Sequence, residues 1–137
     1  MAGGKIMDSV ILDSSALLAL INDETGGDVV KEVLPSAVMS SVNIAEVVGI
    51  LMARYNTPKD EITIMINELI KGVIAFNTEQ AFLTGTIESI SRKNKLGLSL
   101  GDRACLALAE SLNIPVYTAD KAWSKLKILN IKINLIR

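Results

Sequence analysis

Five short apolar runs rich in β-branched residues recur along the chain: SVIL from Ser9, AVMS from Ala37, GVIAF from Gly72, IPVYT from Ile114 and IKINLI from Ile131. Longer segments with helical periodicity separate them. Such alternation leaves few folds open, because neighbouring parallel strands need helical crossovers between them. The runs around Val10, Val73 and Val116 are nearly continuous in apolar residues, the pattern of strands covered on both faces. The expected fold class is therefore α/β, a three-layer α/β/α sandwich with a mainly parallel central sheet of about five strands. Pro58 suits the first turn of a helix over KDEITIMINELIK that Gly72 stops, and Gly97 is the expected stop for the helix running through QAFLTGTIESISRKNKL.

With 137 residues, no internal repeat and no Pro/Gly/Ser-rich linker, the chain reads as a single domain over residues 1–137. The opening MAGGKIMD has no long apolar core, so no signal peptide is expected; residues 1–8 read as a flexible or non-native N-terminus. Charges interrupt every apolar stretch before about 18 residues accumulate, so no membrane span is expected and the cytoplasm is the expected compartment. Cys105 is the one cysteine and there is no histidine. That excludes an internal disulfide, Ser-His-Asp and Cys-His catalysis, and His-ligated zinc, and Cys105 reads as a small buried core thiol. Any chemistry falls to carboxylates, hydroxyls or lysines. Fourteen Lys and Arg stand against fifteen Asp and Glu, so no global basic field advertises nucleic acid. A mean hydropathy of +0.39 at near-zero net charge instead suggests surface covered by a second copy or a partner chain.

Four acids then stand out. Asp13 and Asp120 directly follow apolar runs, at the carboxyl ends of expected strands, where open α/β sheets gather functional groups near the reversal of strand order. Glu46 shares a helical stripe with Asn43 and Ile50, and Asp102 opens the apolar helix DRACLALAESL. Each has a plain structural alternative. Asn43 and Glu46, like Ser99 and Asp102, have capping-box spacing, and Asp13 (or Ser14) and Asp120 could cap the helices that follow them. Topology nevertheless brings three of these four segments to one sheet edge, where two carboxylates about 5 Å apart repel by roughly 3 kcal/mol at an effective dielectric near 20. An acidic cluster there implies a counter-cation, and oxygen-only ligands imply Mg²⁺ or Mn²⁺, ions suited to phosphodiester hydrolysis.

VILDSSALLAL, SSVNIAEVVGIL, LSLGDRACLALA and VYTADKAW resemble, in order and separation, the four acidic motifs of PIN-domain ribonucleases. The whole chain is similar to the small VapC-type toxins of toxin-antitoxin systems. The resemblance implies a PIN-like fold and a Mg²⁺- or Mn²⁺-dependent endoribonuclease, usually a homodimer, restrained by a cognate antitoxin. It makes Asp13, Glu46, Asp102 and Asp120 the metal-binding and catalytic acids, with Ser15 and Thr118 as supporting polar residues, and it makes RNA the substrate. Arg92, Lys93 and Lys95, with Arg103 and Lys121, form a candidate backbone-binding strip whose alternative is solvated surface charge. Trp123 is either a base-stacking platform or a packed aromatic, with packing favoured. The faces of EITIMINELI and NIAEVVGILM are candidates for pairing with another subunit or an antitoxin segment, beyond their share in the core. A haloacid-dehalogenase-type phosphatase would want a second Asp where Ser15 stands, a receiver-like domain lacks its acidic pair, and a dinucleotide fold lacks its glycine-rich turn. The remaining alternative is a catalytically inactive PIN-like module that acts through protein or RNA binding.

Overall fold

The computed structural model describes residues 8–137. The expectation for the N-terminal segment therefore lies, Asp8 apart, outside the described residues. All five expected strands form: β1 (Val10–Leu12), β2 (Ala37–Ser40), β3 (Gly72–Ile74), β4 (Val116–Thr118) and β5 (Ile133–Leu135). Every pairing is parallel, in the order β3-β2-β1-β4-β5. Six α-helices connect them among the described residues: α1 (Ser14–Ile21), α2 (Gly27–Val33), α3 (Ser41–Tyr55), α4 (Lys59–Leu69), α5 (Thr78–Lys93) and α6 (Leu100–Leu112). Shorter 3-10 segments cover Leu34–Ser36 and Lys121–Ile128, the second kinked at Leu126.

Side-chain alternation along the strands divides the core in two. Leu12 and Met39 point into one layer with Ala16, Leu17, Val47, Leu51, Ile62 and Ile66, from α1, α3 and α4. Ile11, Val38 and Val116 point into the other with Ile87, Leu106 and Leu108, from α5 and α6. The three-layer sandwich follows from that division. Cys105 is fully buried in the second layer, as expected. Trp123 is only 1% exposed in the same layer, so it packs the core and does not offer a face to a base.

Three local expectations need correction. β3 is an edge strand with Val73 43% exposed; a three-residue strand is too short for apolar continuity to separate an edge from a centre. α5 ends at Lys93, before the expected stop, because Asn94 caps it twice over: its N–H donates to the Ile90 carbonyl (3.1 Å) and so does its side-chain amide (2.9 Å). Gly97, at φ +64°, serves the loop beyond instead. α4 likewise ends at Leu69, its last turn closed by the Ile70 N–H on the Ile66 carbonyl, and Gly72 opens β3. Gly26 carries a firmer constraint: at φ +96°, a Cβ there would stand 2.7 Å from the Ile136 carbonyl oxygen.

Candidate active site

The strand order reverses at β1. The chain moves outward through β2 and β3, then returns to place β4 on the other side of β1. The crevice between the carboxyl ends of β1 and β4 is the position where open α/β sheets bind ligands. Asp13 leaves β1 and caps α1, its Oδ1 accepting the Ala16 N–H (2.8 Å) and the Ser15 hydroxyl (2.7 Å). Its Oδ2 accepts the Thr118 hydroxyl from β4 at 2.6 Å. The Ser15 and Thr118 oxygens in turn accept the Ala119 N–H (2.9 Å) and the Asp120 N–H (3.0 Å). Ser15 and Thr118 thus each tie Asp13 to the backbone at the end of β4.

Burial sets the electrostatics here. Asp13 is 5% exposed, and desolvation pushes its carboxyl up to about 6. The hydrogen bonds from Thr118, Ser15 and Ala16 oppose that rise, and repulsion from Asp102 adds to it. Asp102 is also raised, first by burial, then by Asp120 and Glu46, against the opposing bonds from Ser99. Burial drives the Cys105 thiol well above its ordinary range, and Asp13, Asp102 and Glu46 add to it.

Glu46 is held from two elements, α1 and its own helix α3. Its Oε1 accepts the Ser14 hydroxyl and the Asn43 amide, the latter at 3.0 Å. The same Asn43 amide donates to the Gly101 carbonyl at 3.1 Å, which ties α3 to α6. A Cβ on Gly101 would overlap the Glu46 carboxylate, so glycine makes room for the acid. The capping box considered for Asn43 and Glu46 does not form, because α3 starts earlier, with Ser40 accepting the Val42 N–H at 3.2 Å. Asn43 and Glu46 both lie inside the helix and face the cleft.

Ser99 and Asp102, by contrast, do form a reciprocal capping box, with both bonds at 3.1 Å. Asp120 caps the Lys121–Ile128 segment through the Ala122 N–H at 2.9 Å. Three of the four acids are therefore caps and still meet the fourth. Asp13, Glu46, Asp102 and Asp120 line one cleft of about 220 Å³, with Ser14, Ser15 and Asn43 between them and Leu18 and Ile50 completing the wall. Ser14, Asn43 and Gly101 were not foreseen as parts of the site. Their signal was slight: the i, i+3 spacing of Asn43 and Glu46, and a glycine in the first turn of α6.

All donors in the cleft are oxygens but for the Asn43 amide, the set preferred by hard divalent cations. Among the described residues no three acids gather closely enough to hold an ion by themselves. Mg²⁺ does not require this, since it commonly keeps several waters and uses one or two carboxylates together with substrate phosphates. The Asn43 Oδ1, buried and without a hydrogen-bond partner, is one further oxygen in the wall.

A family model described as PIN domain matches residues 10–129. The chain belongs to the PIN domain family. Comparison with curated proteins returns no match. PIN domains are generally nucleases, and solved structures similar to this PIN domain include a toxin-antitoxin complex and VapBC assemblies. A toxin-antitoxin complex from Klebsiella pneumoniae matches at a TM-score of 0.72 and 17% identity, over 94% of this chain and 98% of that one. DNA-bound VapBC from Salmonella typhimurium matches at 0.73 and 15%, over 96% and 100%. VapBC-1 from nontypeable Haemophilus influenzae matches at 0.66 and 18%, over 93% and 97%. At these identities the matches establish a shared fold.

Proposed function

We propose that this PIN domain, acting as one unit over residues 1–137, is a Mg²⁺- or Mn²⁺-dependent endoribonuclease and the toxin of a toxin-antitoxin pair. The supporting observation is the meeting of Asp13, Glu46, Asp102 and Asp120 in the crevice between β1 and β4. These four acids would hold the ion, in part through its bound waters, because no three of them gather closely enough to ligate it directly. Once bound, it supplies charge stabilisation at the scissile phosphate and a more acidic water for in-line attack. Ser15 and Thr118 fix the orientation of Asp13, and Ser14 and Asn43 fix Glu46, so the carboxylates are positioned before substrate arrives. Cys105, the one thiol, is sealed in the core, and no histidine exists to activate a hydroxyl, which favours water as the nucleophile.

Antitoxin binding draws support from similar solved structures, among them the Klebsiella pneumoniae toxin-antitoxin complex and VapBC-5 of Mycobacterium tuberculosis, a member of the VapBC family of toxin-antitoxin systems. It also fits a cleft of about 420 Å³ lined by Ile21, Leu51, Tyr55 and Met65, close in sequence to the exposed Met52 and Ile64. A homodimer would cover other exposed apolar side chains, Phe82 and Leu100 among them. No helix among the described residues is long and apolar enough to cross a membrane, and we place the protein in the cytoplasm.

The decisive assay is cleavage of a single-stranded RNA with Mn²⁺, with EDTA, and in Asp13→Asn and Asp102→Asn. Cleavage that requires the metal and both acids is expected. Cutting that persists in EDTA or in both variants would refute the metal-dependent reading. Helix capping by three of the acids favours one other reading, an inactive PIN module in which they serve structure alone. A wild-type protein that never cuts RNA and gains no thermal stability from Mn²⁺ would establish that alternative.

A further inference from the structure

A second concave surface is larger than the acid cleft. A cleft of about 500 Å³ lies between the α5–α6 connection and the Lys121–Ile128 segment, lined by Asn94, Lys95, Leu96, Ala122 and Lys125. Both walls are close in sequence to the acid cleft: Lys95 precedes Asp102 by seven residues, and Lys125 follows Asp120 by five. The two clefts meet where Ala122, in the wall of this one, donates its N–H to the Asp120 carboxylate of the other at 2.9 Å.

Charge is distributed unevenly about this point. Between residues 8 and 88 the chain has twelve Asp and Glu but four Lys and Arg; between residues 89 and 137 it has nine Lys and Arg and three acids, two of which are Asp102 and Asp120. Arg92 and Arg103 of the expected strip are occupied by Glu88, at 3.5 and 3.7 Å. Among the described residues neither Lys95 nor Lys125 has a carboxylate partner. The wall holding Lys95 is also fixed. Its own N–H donates to the Arg92 carbonyl (3.3 Å), the Leu96 N–H to the Ser91 carbonyl (2.9 Å) and the Leu98 N–H to the Ser91 hydroxyl (3.1 Å). Lys95 itself is left-handed at φ 54°, a costly conformation for a residue with a side chain.

We infer that Lys95 and Lys125 form a phosphate subsite, which holds the backbone of single-stranded RNA beside the acid cleft so that a neighbouring phosphodiester lies over the carboxylates. The subsite deepens the nuclease activity proposed above and rests on it. Two unpaired cations facing a concave surface attract a polyanion, and lysine engages phosphate as a point charge without bidentate geometry. The lining offers no aromatic side chain for stacking, since Trp123 is buried. The contact therefore positions the strand and leaves the bases unread. It also brings cations to the approach of an acidic site that would otherwise repel its substrate.

The test is fluorescence anisotropy of short labelled single-stranded RNAs of several sequences, in EDTA, across a salt series. The double variant Lys95→Gln/Lys125→Gln is expected to bind every sequence more weakly by a common factor. Its slope of log affinity against log salt should flatten by about 1.4, at about 0.7 per phosphate contact on a single strand. Lys95→Arg/Lys125→Arg should keep the wild-type slope, and Lys31→Gln/Lys59→Gln should change nothing. Both lysines are exposed, so circular dichroism should report an unchanged fold. A double Gln variant with wild-type affinity and slope, a loss confined to one sequence, or a wild-type protein that binds no strand overturns the subsite. Mn²⁺ cleavage on the same RNAs separates the two levels. Cutting with lysine-independent binding removes the subsite and leaves the nuclease, whereas lysine-dependent binding without cutting does the reverse.

Discussion

The acid cleft and the basic cleft meet at the hydrogen bond between Ala122 and Asp120 and are built on opposite principles. In the acid cleft, both oxygens of Asp13 and one oxygen of Glu46 accept hydrogen bonds from neighbouring side chains, on strand ends and helix starts fixed by the core. In the basic cleft the backbone around Lys95 is fixed, but among the described residues the Lys95 and Lys125 side chains have no carboxylate partner. Reaction chemistry needs groups held to within about half an ångström, whereas attraction of a polymer needs charge in roughly the right place. Each cleft has the construction its proposed task requires.

The contrast is open to attack in order of effect size. Asp13→Asn should lower RNA cleavage by about 100-fold or more, since several kcal/mol of metal-derived stabilisation would be lost, while leaving the salt dependence of RNA binding intact. Next is pH. The folded protein holds the Asp13 proton to about 6 against 3.8 for the free side chain, so it binds that proton more tightly than the unfolded chain does. Stability of the metal-free protein should thus rise as pH falls through 6, with the gain complete near 3.8. The difference between wild type and Asp13→Asn should approach about 3 kcal/mol, read from urea midpoints in EDTA. A wild-type curve parallel to that of Asp13→Asn would refute the buried-acid account.

Mn²⁺ at a hundredfold excess over its dissociation constant should add about 2.7 kcal/mol, on the order of 10 °C in Tm, to wild type and far less to Asp102→Asn. Glycines supply a smaller and purely steric contrast. Gly101→Ala drives a methyl into the Glu46 carboxylate and should cost about 1 to 3 kcal/mol together with activity, whereas Gly49→Ala, in open space on α3, should gain about 0.5 to 1 kcal/mol and leave cleavage unchanged. The smallest effect is expected for Asp102→Asn in EDTA. Relief of repulsion from Asp120 and Glu46 opposes the weakened capping box, and the net change should stay within about 1 kcal/mol.

These opposing terms explain what the sequence made legible. The strands were readable because five apolar runs repeat at helical intervals, and parallel connection leaves little choice of arrangement. The acids were readable because three of them begin helices at strand or loop ends. Capping does not compete with a place in the cleft: Asp13, Asp102 and Asp120 each cap a helix start and also line the acid cleft. The parts that stayed hidden depend on which faces meet. Nothing local to Asn43 says that its amide bridges Glu46 to the Gly101 carbonyl, 58 residues away. Nothing in GVI says that β3 lies at an edge.

The bond from Thr118 to Asp13 joins residues 105 apart. On a ribosome adding about 5 to 20 residues per second, Asp13 emerges some 5 to 20 s before its partner is made. Through that interval β1 has no β4 beside it, and the crevice that gathers the acids does not exist. Long sequence separation also makes this pairing a late step in folding, because the loop must close before the contact can be made. Under the proposed function, a half-made chain lacks the acid cleft and would cut nothing, and an antitoxin would have nothing to restrain until β4 has docked.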